Sequence, residues 1–163
     1  MPAPAIQLIG LRGEIDPRAA ARKELQLRVE AATVRVSESA ARRAIPPEMP
    51  VTVERIAGGR IYVRANAMGL LEGALEITLR SVNGRALRAE VVAACAGFFP
   101  IPLFVVAAAM PILLRKVLEM PGVHLGPGAS VDVDLNAFTT PHGIHLPPLQ
   151  SVQADGGVLE LVF

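Results

Sequence analysis

A few residue groups have the types and spacing that chemistry could use. Asp132, Asp134 and Asn136 alternate in VDVDLN, which imitates the opening of a calcium-binding loop. Such a loop needs glycine at its sixth position and a bidentate glutamate at its twelfth. Here those positions hold Ala137 and Gly143. A strand explains the same residues better, with Val131, Val133 and Leu135 inward and the acids outward. His142 and His145 lie three apart in PHGIH, and His124 sits in another loop. A zinc site needs further ligands, and no acid or cysteine is near them in sequence, so surface histidines are the expectation and no metal is. Cys95 is the only cysteine. It cannot form an internal disulfide, which suits a reducing compartment, and it lies in an apolar run where a buried thiol is inert. Glu38 and Glu48 are isolated carboxylates. No nucleophile has a base beside it in sequence, and no nucleophile elbow, Walker loop or dinucleotide fingerprint occurs. Gly126-Pro127-Gly128 reads as a turn, since no helix N-terminus follows to hold a phosphate. The expectation is a protein that is not an enzyme and carries no cofactor.

Composition narrows the partners. Apolar residues make up 52 % of the 163, charged residues 19 %, and the net charge is +1. A disordered chain is excluded, and nothing draws the molecule to nucleic acid. The 14 arginines and two lysines are spread without a basic block. Arg12, Arg18, Arg22 and Arg42-Arg43 could touch lipid headgroups, though solvated faces explain them equally well. The length fits one domain over residues 1–163. Its first 24 residues read as an extension made of a strand and a short helix. The N-terminus lacks a positive segment followed by an unbroken apolar run, so neither a signal peptide nor an anchor is read. A cytoplasmic or membrane-peripheral location is expected.

The elements that would position these residues follow from turns and alternation. Asp16-Pro17 starts a helix, with Asp as the cap and Pro as the first helical residue; it runs to about Glu24. LQLRVEAATVRV alternates, with a phase slip near Thr33 that a bulge would explain. Ser37 caps a short helix, ESAARRAI, which stops before Pro46-Pro47. Hairpins are expected around Gly58-Gly59, around Asn83-Gly84 and around Asp155-Gly156-Gly157. Between the last two lie a loop, MPGVHLGPG, and one more strand, VDVDL.

One stretch dominates the rest. Val91 to Leu114 holds 24 residues without a charge, bounded by Arg88 and Glu90 before it and Arg115 and Lys116 after it. Its length suffices for a membrane span. Pro100, Pro102 and Pro111 oppose one, and the scarcity of aromatic residues (five Phe, one Tyr, no Trp) leaves no interfacial belt. A core helix from about Ile101 to Glu119, apolar all round because buried all round, is the second reading. The third is a helix wrapped by a sheet, with room between them for an apolar ligand.

The order of elements resembles the tubular lipid-binding (TULIP) superfamily and, within it, the LmeA-like phospholipid-binding proteins. The resemblance rests on LQLRVEAATVRVSESAARRAI, VTVERIAGGRIYVRANA, LEITLRSVNGRALRAEV, GFFPIPLFVVAAAMPILLRKVLEMPGV and PPLQSVQADGGVLELVF, read in order from about Leu25 to Phe163. It implies an α+β fold: a strongly curved antiparallel sheet wrapped around one long apolar helix. It also implies a crevice that binds a phospholipid or fatty acid, with no covalent chemistry and with service in lipid transfer or membrane maintenance. The residues expected to line that crevice are Phe98, Phe99, Leu103, Phe104, Val106, Met110, Leu113 and Leu114. The alternative is a ligand-free interaction module whose apolar face takes a protein partner or a second copy of the chain.

Overall fold

The computed structural model describes residues 6–22, 24–45, 47, 51–67 and 71–163. Pro46, Glu48 and the first five residues lie outside them. The N-terminal extension is strand β1 (Ile6–Ile15) followed by helix α1 (Pro17–Ala21). Asp16 caps α1 by accepting the Arg18 amide at 2.8 Å. Strand β2 (Leu27–Ser37) pairs antiparallel with β1, and the register slips opposite Ala31 to Thr33 and again opposite Val29 to Ala31. That irregularity sits where the alternation changes phase, and it turns Val29 and then Ala32 inward. Ser37 ends β2 and caps helix α2 (Glu38–Ala44), accepting the Ala40 amide at 3.2 Å.

The hairpin signals also find their turns. Gly58 and Gly59, at φ 59° and 77°, link β3 (Val51–Ala57) to β4 (Arg60–Ala67). Asn83 and Gly84, at 52° and 67°, link β5 (Leu71–Val82) to β6 (Ala86–Ala96). Val82 pairs with Ala86, so Arg85 belongs to this turn as well. After β6 come the short β7 (Phe99–Pro100), helices α3 (Leu103–Leu113) and α4 (Arg115–Leu118), and strands β8 (Val123–Leu125) and β9 (Ser130–Asp134). Helix α5 (Leu135–Thr139), β10 (Ile144–His145), β11 (Ser151–Asp155) and β12 (Val158–Val162) complete the chain. Strand β8 falls inside what the sequence presents as a loop, and Leu135 opens a helix rather than extending β9.

The strands form two sheets, which corrects the expected single sheet wrapped around a long helix. One sheet runs β1-β2-β12-β11, with β10 beside β2; the other runs β3-β4-β5-β6-β9-β8, with β7 beside β6. All pairings are antiparallel except β10 with β2. The long helix is absent too. Pro111 has no amide to give to Ala107, and the helix ends at Leu113. Leu114 leaves helical geometry at φ −102°, ψ 14°, and only the single turn of α4 follows. No helix among the described residues is long and apolar enough to cross a membrane.

Two apolar clusters cover the inner face of the larger sheet and share Leu75 and Ile77 on β5. One packs Met110 against Val91, Ala94, Val123 and Val131. The other packs Val53, Ile56 and Val63 against Ala154 of the smaller sheet and Ala41 of α2. Cover for that face is therefore divided between α3 and the smaller sheet. The opposite face is laced by ion pairs: Arg60–Glu76, Arg64–Glu54 (2.5 Å), Arg80–Glu90 (3.7 Å) and Arg88–Asp132 (2.6 Å).

Candidate functional site

Chain entry into α3 is set by a left-handed Gly97 (φ 58°), which turns the end of β6 back on itself as β7. The Gly97 amide bonds the Glu72 carbonyl at 3.1 Å and the Ile101 amide bonds the Ala94 carbonyl at 2.8 Å. Phe98 and Phe99 stand at the tip of this turn. Phe98 is fully exposed and Phe99 is 78 % exposed. Helix α3 then begins at Leu103, behind Pro102, which offers no side-chain cap.

The sequence LFVVAAAMPIL has no polar side chain on any face, so α3 shows no amphipathic signal. The fold nevertheless gives it two faces. Val106, Met110 and Leu114 recur every four residues and meet the sheet; Met110 is buried and its two neighbours are half-buried. Phe104, Ala108, Pro111 and Ile112 follow the opposite stripe and are exposed, Phe104 at 75 % and Ile112 at 79 %. Leu113, on the flank away from Phe104, is 64 % exposed, and Leu103, in line with Met110 but at the first residue of the helix, is 41 % exposed.

The eight residues expected to line one crevice are therefore divided. Phe98, Phe99, Leu103, Phe104 and Leu113 face solvent, whereas Val106, Met110 and Leu114 fill the space between α3 and the sheet with their own side chains. At the end of α3, Arg115 and Lys116 return charge to the surface; Arg115 lies 4.0 Å from Glu119.

The polar constellations have structural roles. Asp132 takes both its hydrogen bonds from Arg88, at 2.6 and 2.7 Å, fastening β9 to β6. The Arg88 guanidinium holds the Asp132 carboxyl below the usual carboxylate range, against the opposing effect of burial. Asp134 caps α5 through the Asn136 amide, and the Asn136 side chain clasps the Leu146 backbone from both sides. His145 pairs with Gln26 at 2.9 Å. No cluster of metal-ligating residues occurs among the described residues. Cys95 is half-buried rather than buried. It lines a shallow cleft of about 210 Å³ with Tyr62, Ala74 and Ala93.

Glu38 and Arg42 carry a joint that sequence reading missed. Glu38 accepts the Ile56 amide at 2.9 Å and the Arg42 guanidinium at 3.3 Å, while its own amide bonds the Gly157 carbonyl at 3.0 Å. Arg42 also donates to the Val53 and Glu54 carbonyls. Asp155 accepts the amides of Gly58 and Gly156, both at 2.9 Å, and these bonds lower its pKa. The joint ties the β3–β4 turn of one sheet to the β11–β12 turn of the other. The available signal was Glu38 and Arg42 one helical turn apart, which marks a pair but does not say what backbone the pair holds.

A second concavity, of about 310 Å³, lies on the smaller sheet. Gln7, Arg35, Glu160 and Gln153 form a row across β1, β2, β12 and β11. Arg35 and Glu160 pair with each other at 2.5 Å, so the charges of this row are satisfied within it. No family model, curated protein or solved structure matches the chain.

Proposed function

We propose that this is a non-enzymatic lipid-contacting protein that seats the outer face of α3 and the Phe98–Phe99 turn in the acyl region of a phospholipid surface. The observation that supports the reading is the outward placement of Phe98, Phe99, Phe104, Ile112 and Leu113 along one charge-free run. The solvent face of an ordinary surface helix is polar. Exposed large apolar side chains gathered on one helix and the turn that leads into it mark a contact surface. Moving such a side chain out of water contributes about 1.5–3 kcal/mol, so five supply on the order of 10 kcal/mol before the cost of association. A helix suits an apolar phase because its backbone is hydrogen-bonded internally. Arg115 and Lys116, at the end of the run, stand where long cationic side chains reach headgroups. Acyl contact on this reading occurs on the outside of α3, since the inside is filled.

Flotation with phosphatidylcholine–phosphatidylglycerol vesicles tests the reading. The wild-type chain is expected to float with the vesicles, and Phe104→Asp or Phe98→Asp to stay behind while keeping a wild-type circular dichroism spectrum. A wild-type chain that never floats, or a folded variant that floats equally well, would overturn it. The alternative, an interaction module without lipid, predicts no flotation and a self-association that Phe104→Asp removes.

A further inference from the structure

We infer that the exposed side of α3 selects anionic over zwitterionic phospholipid, through Arg115 and Lys116 at its end; this rests on the lipid reading and names the headgroup charge that the reading leaves open. The fold sorts the charges around the apolar run. Arg88 and Glu90, which precede it, lie on the opposite face of the larger sheet, each held in an ion pair, with Asp132 and Arg80. Glu72 runs beside the Phe98–Phe99 turn, since its carbonyl takes the Gly97 amide. It lies four residues from Glu76 along β5 and so shares the ion-paired face, which turns its side chain away from α3.

Arg115 and Lys116 are placed otherwise. Helical hydrogen bonds run through the break at Leu114: its amide bonds the Met110 carbonyl at 2.8 Å, and its carbonyl takes the Leu118 amide at 2.9 Å. Four-residue spacing therefore continues into α4. Arg115 follows Pro111 in the stripe of Phe104 and Ala108, Lys116 follows Ile112, and both cations are exposed. Glu119 stands one turn beyond Arg115 at 4.0 Å. Between side chains this exposed, such a contact contributes little, so the guanidinium is not committed to it. Two cations against one carboxylate leave an excess of one positive charge at this end of the surface.

Charge complementarity decides between headgroups. The apolar side chains gain the same from the acyl chains of either kind of bilayer. A zwitterionic surface offers the excess charge no net potential, whereas an anionic one draws in each nearby cation by about fivefold in partitioning. Long cationic side chains in line with Phe104 and Ile112 reach the phosphates while those residues stay among the chains. Glu119 opposes this attraction from the same end, so the preference follows the balance of the three residues.

Cosedimentation of the full chain with phosphatidylcholine vesicles, with and without phosphatidylglycerol, tests this. The ratio of the two partition coefficients makes each variant its own control for folding. The wild type is expected to favour the anionic vesicles about fivefold. Salt at about 0.5 M should remove that preference and spare binding to phosphatidylcholine. The double variant R115Q/K116Q should lose the preference and still bind phosphatidylcholine, and R115K/K116R should keep both. Glu119→Gln should raise the preference about fivefold further. Phe104→Asp should lose binding to both kinds of vesicle, so failure here and failure of the lipid reading are distinguishable. A wild type that binds both kinds equally, or a double variant that keeps the preference, overturns the inference and leaves the lipid reading standing. A wild type that binds neither overturns both.

Discussion

Helices α2 and α3 both lie against the larger sheet, and they are held by opposite means. Helix α2, ESAARRA, is sewn in by directional bonds: the Ser37 cap, the Glu38 carboxylate on Ile56 and the Arg42 guanidinium on two carbonyls of β3. Helix α3 has no side-chain cap bond and no polar side chain, and one stripe of apolar contact holds it. A polar helix is committed on the side that faces the protein and wetted on the other. An all-apolar helix is committed on one side and leaves an equally apolar side without a partner. That unmatched side is why the proposed contact surface lies on α3 and not on α2.

The comparison can be broken most forcefully from inside α3. Met110→Ala removes the buried centre of its contact and should cost about 2–5 kcal/mol, read as a lower midpoint in urea unfolding. Glu38→Ala comes next. It strips the acceptor from the Ile56 amide, on a residue that is 1 % exposed, and should cost about 1–3 kcal/mol in the same assay. A smaller loss at Met110 than at Glu38 would reverse the assignment of which helix rests on packing.

Acid titrates the polar fastenings and spares α3. Asp155 and Asp132 both have folded pKa values below the ordinary aspartate value of about 3.9. Their contributions are complete above that value and disappear as pH falls through the lowered folded values. Thermal midpoints should therefore drop below about pH 4. The drop should shrink in Asp155→Asn, measured against its own neutral-pH midpoint. The smallest expected effect sharpens the contrast: Phe104→Asp on the outer face should move stability by no more than about 0.5 kcal/mol, although on the proposed function it should remove vesicle binding.

Much of the local structure was legible in the sequence. Asp16 and Ser37 cap the helices they were expected to cap, and the three Gly-containing turns fall between the strands they were expected to join. These signals are short-range, and each depends on a residue whose backbone or side chain does something few others can. The two-sheet arrangement was not legible. It depends on β2 pairing with β12, and alternation says that a strand has two faces without saying which strand lies beside it. The candidate surface was half legible. Its residues stood out as an uncharged run, but a helix with no polar residue carries no mark of which face turns inward. The sequence therefore presented Phe104 and Met110 as equivalent, whereas the fold exposes one and buries the other.

Strand β12 lies between β2 and β11, and its Glu160 meets an Arg35 that precedes it by 125 residues. Phe163 exchanges two backbone hydrogen bonds with Ala32 across the same seam. The consequence concerns the order of events on the ribosome. The larger sheet can assemble from neighbouring hairpins as they emerge, but β2 must wait, unpaired on one edge, until β12 has been made. Pairings this distant in sequence are slow to form, and an open edge carrying Val34 and Val36 is exposed to misassociation in the interval. Strand β1, made first, pairs with the opposite edge of β2 and stays there, so the edge that waits for β12 is left without cover for the whole of synthesis.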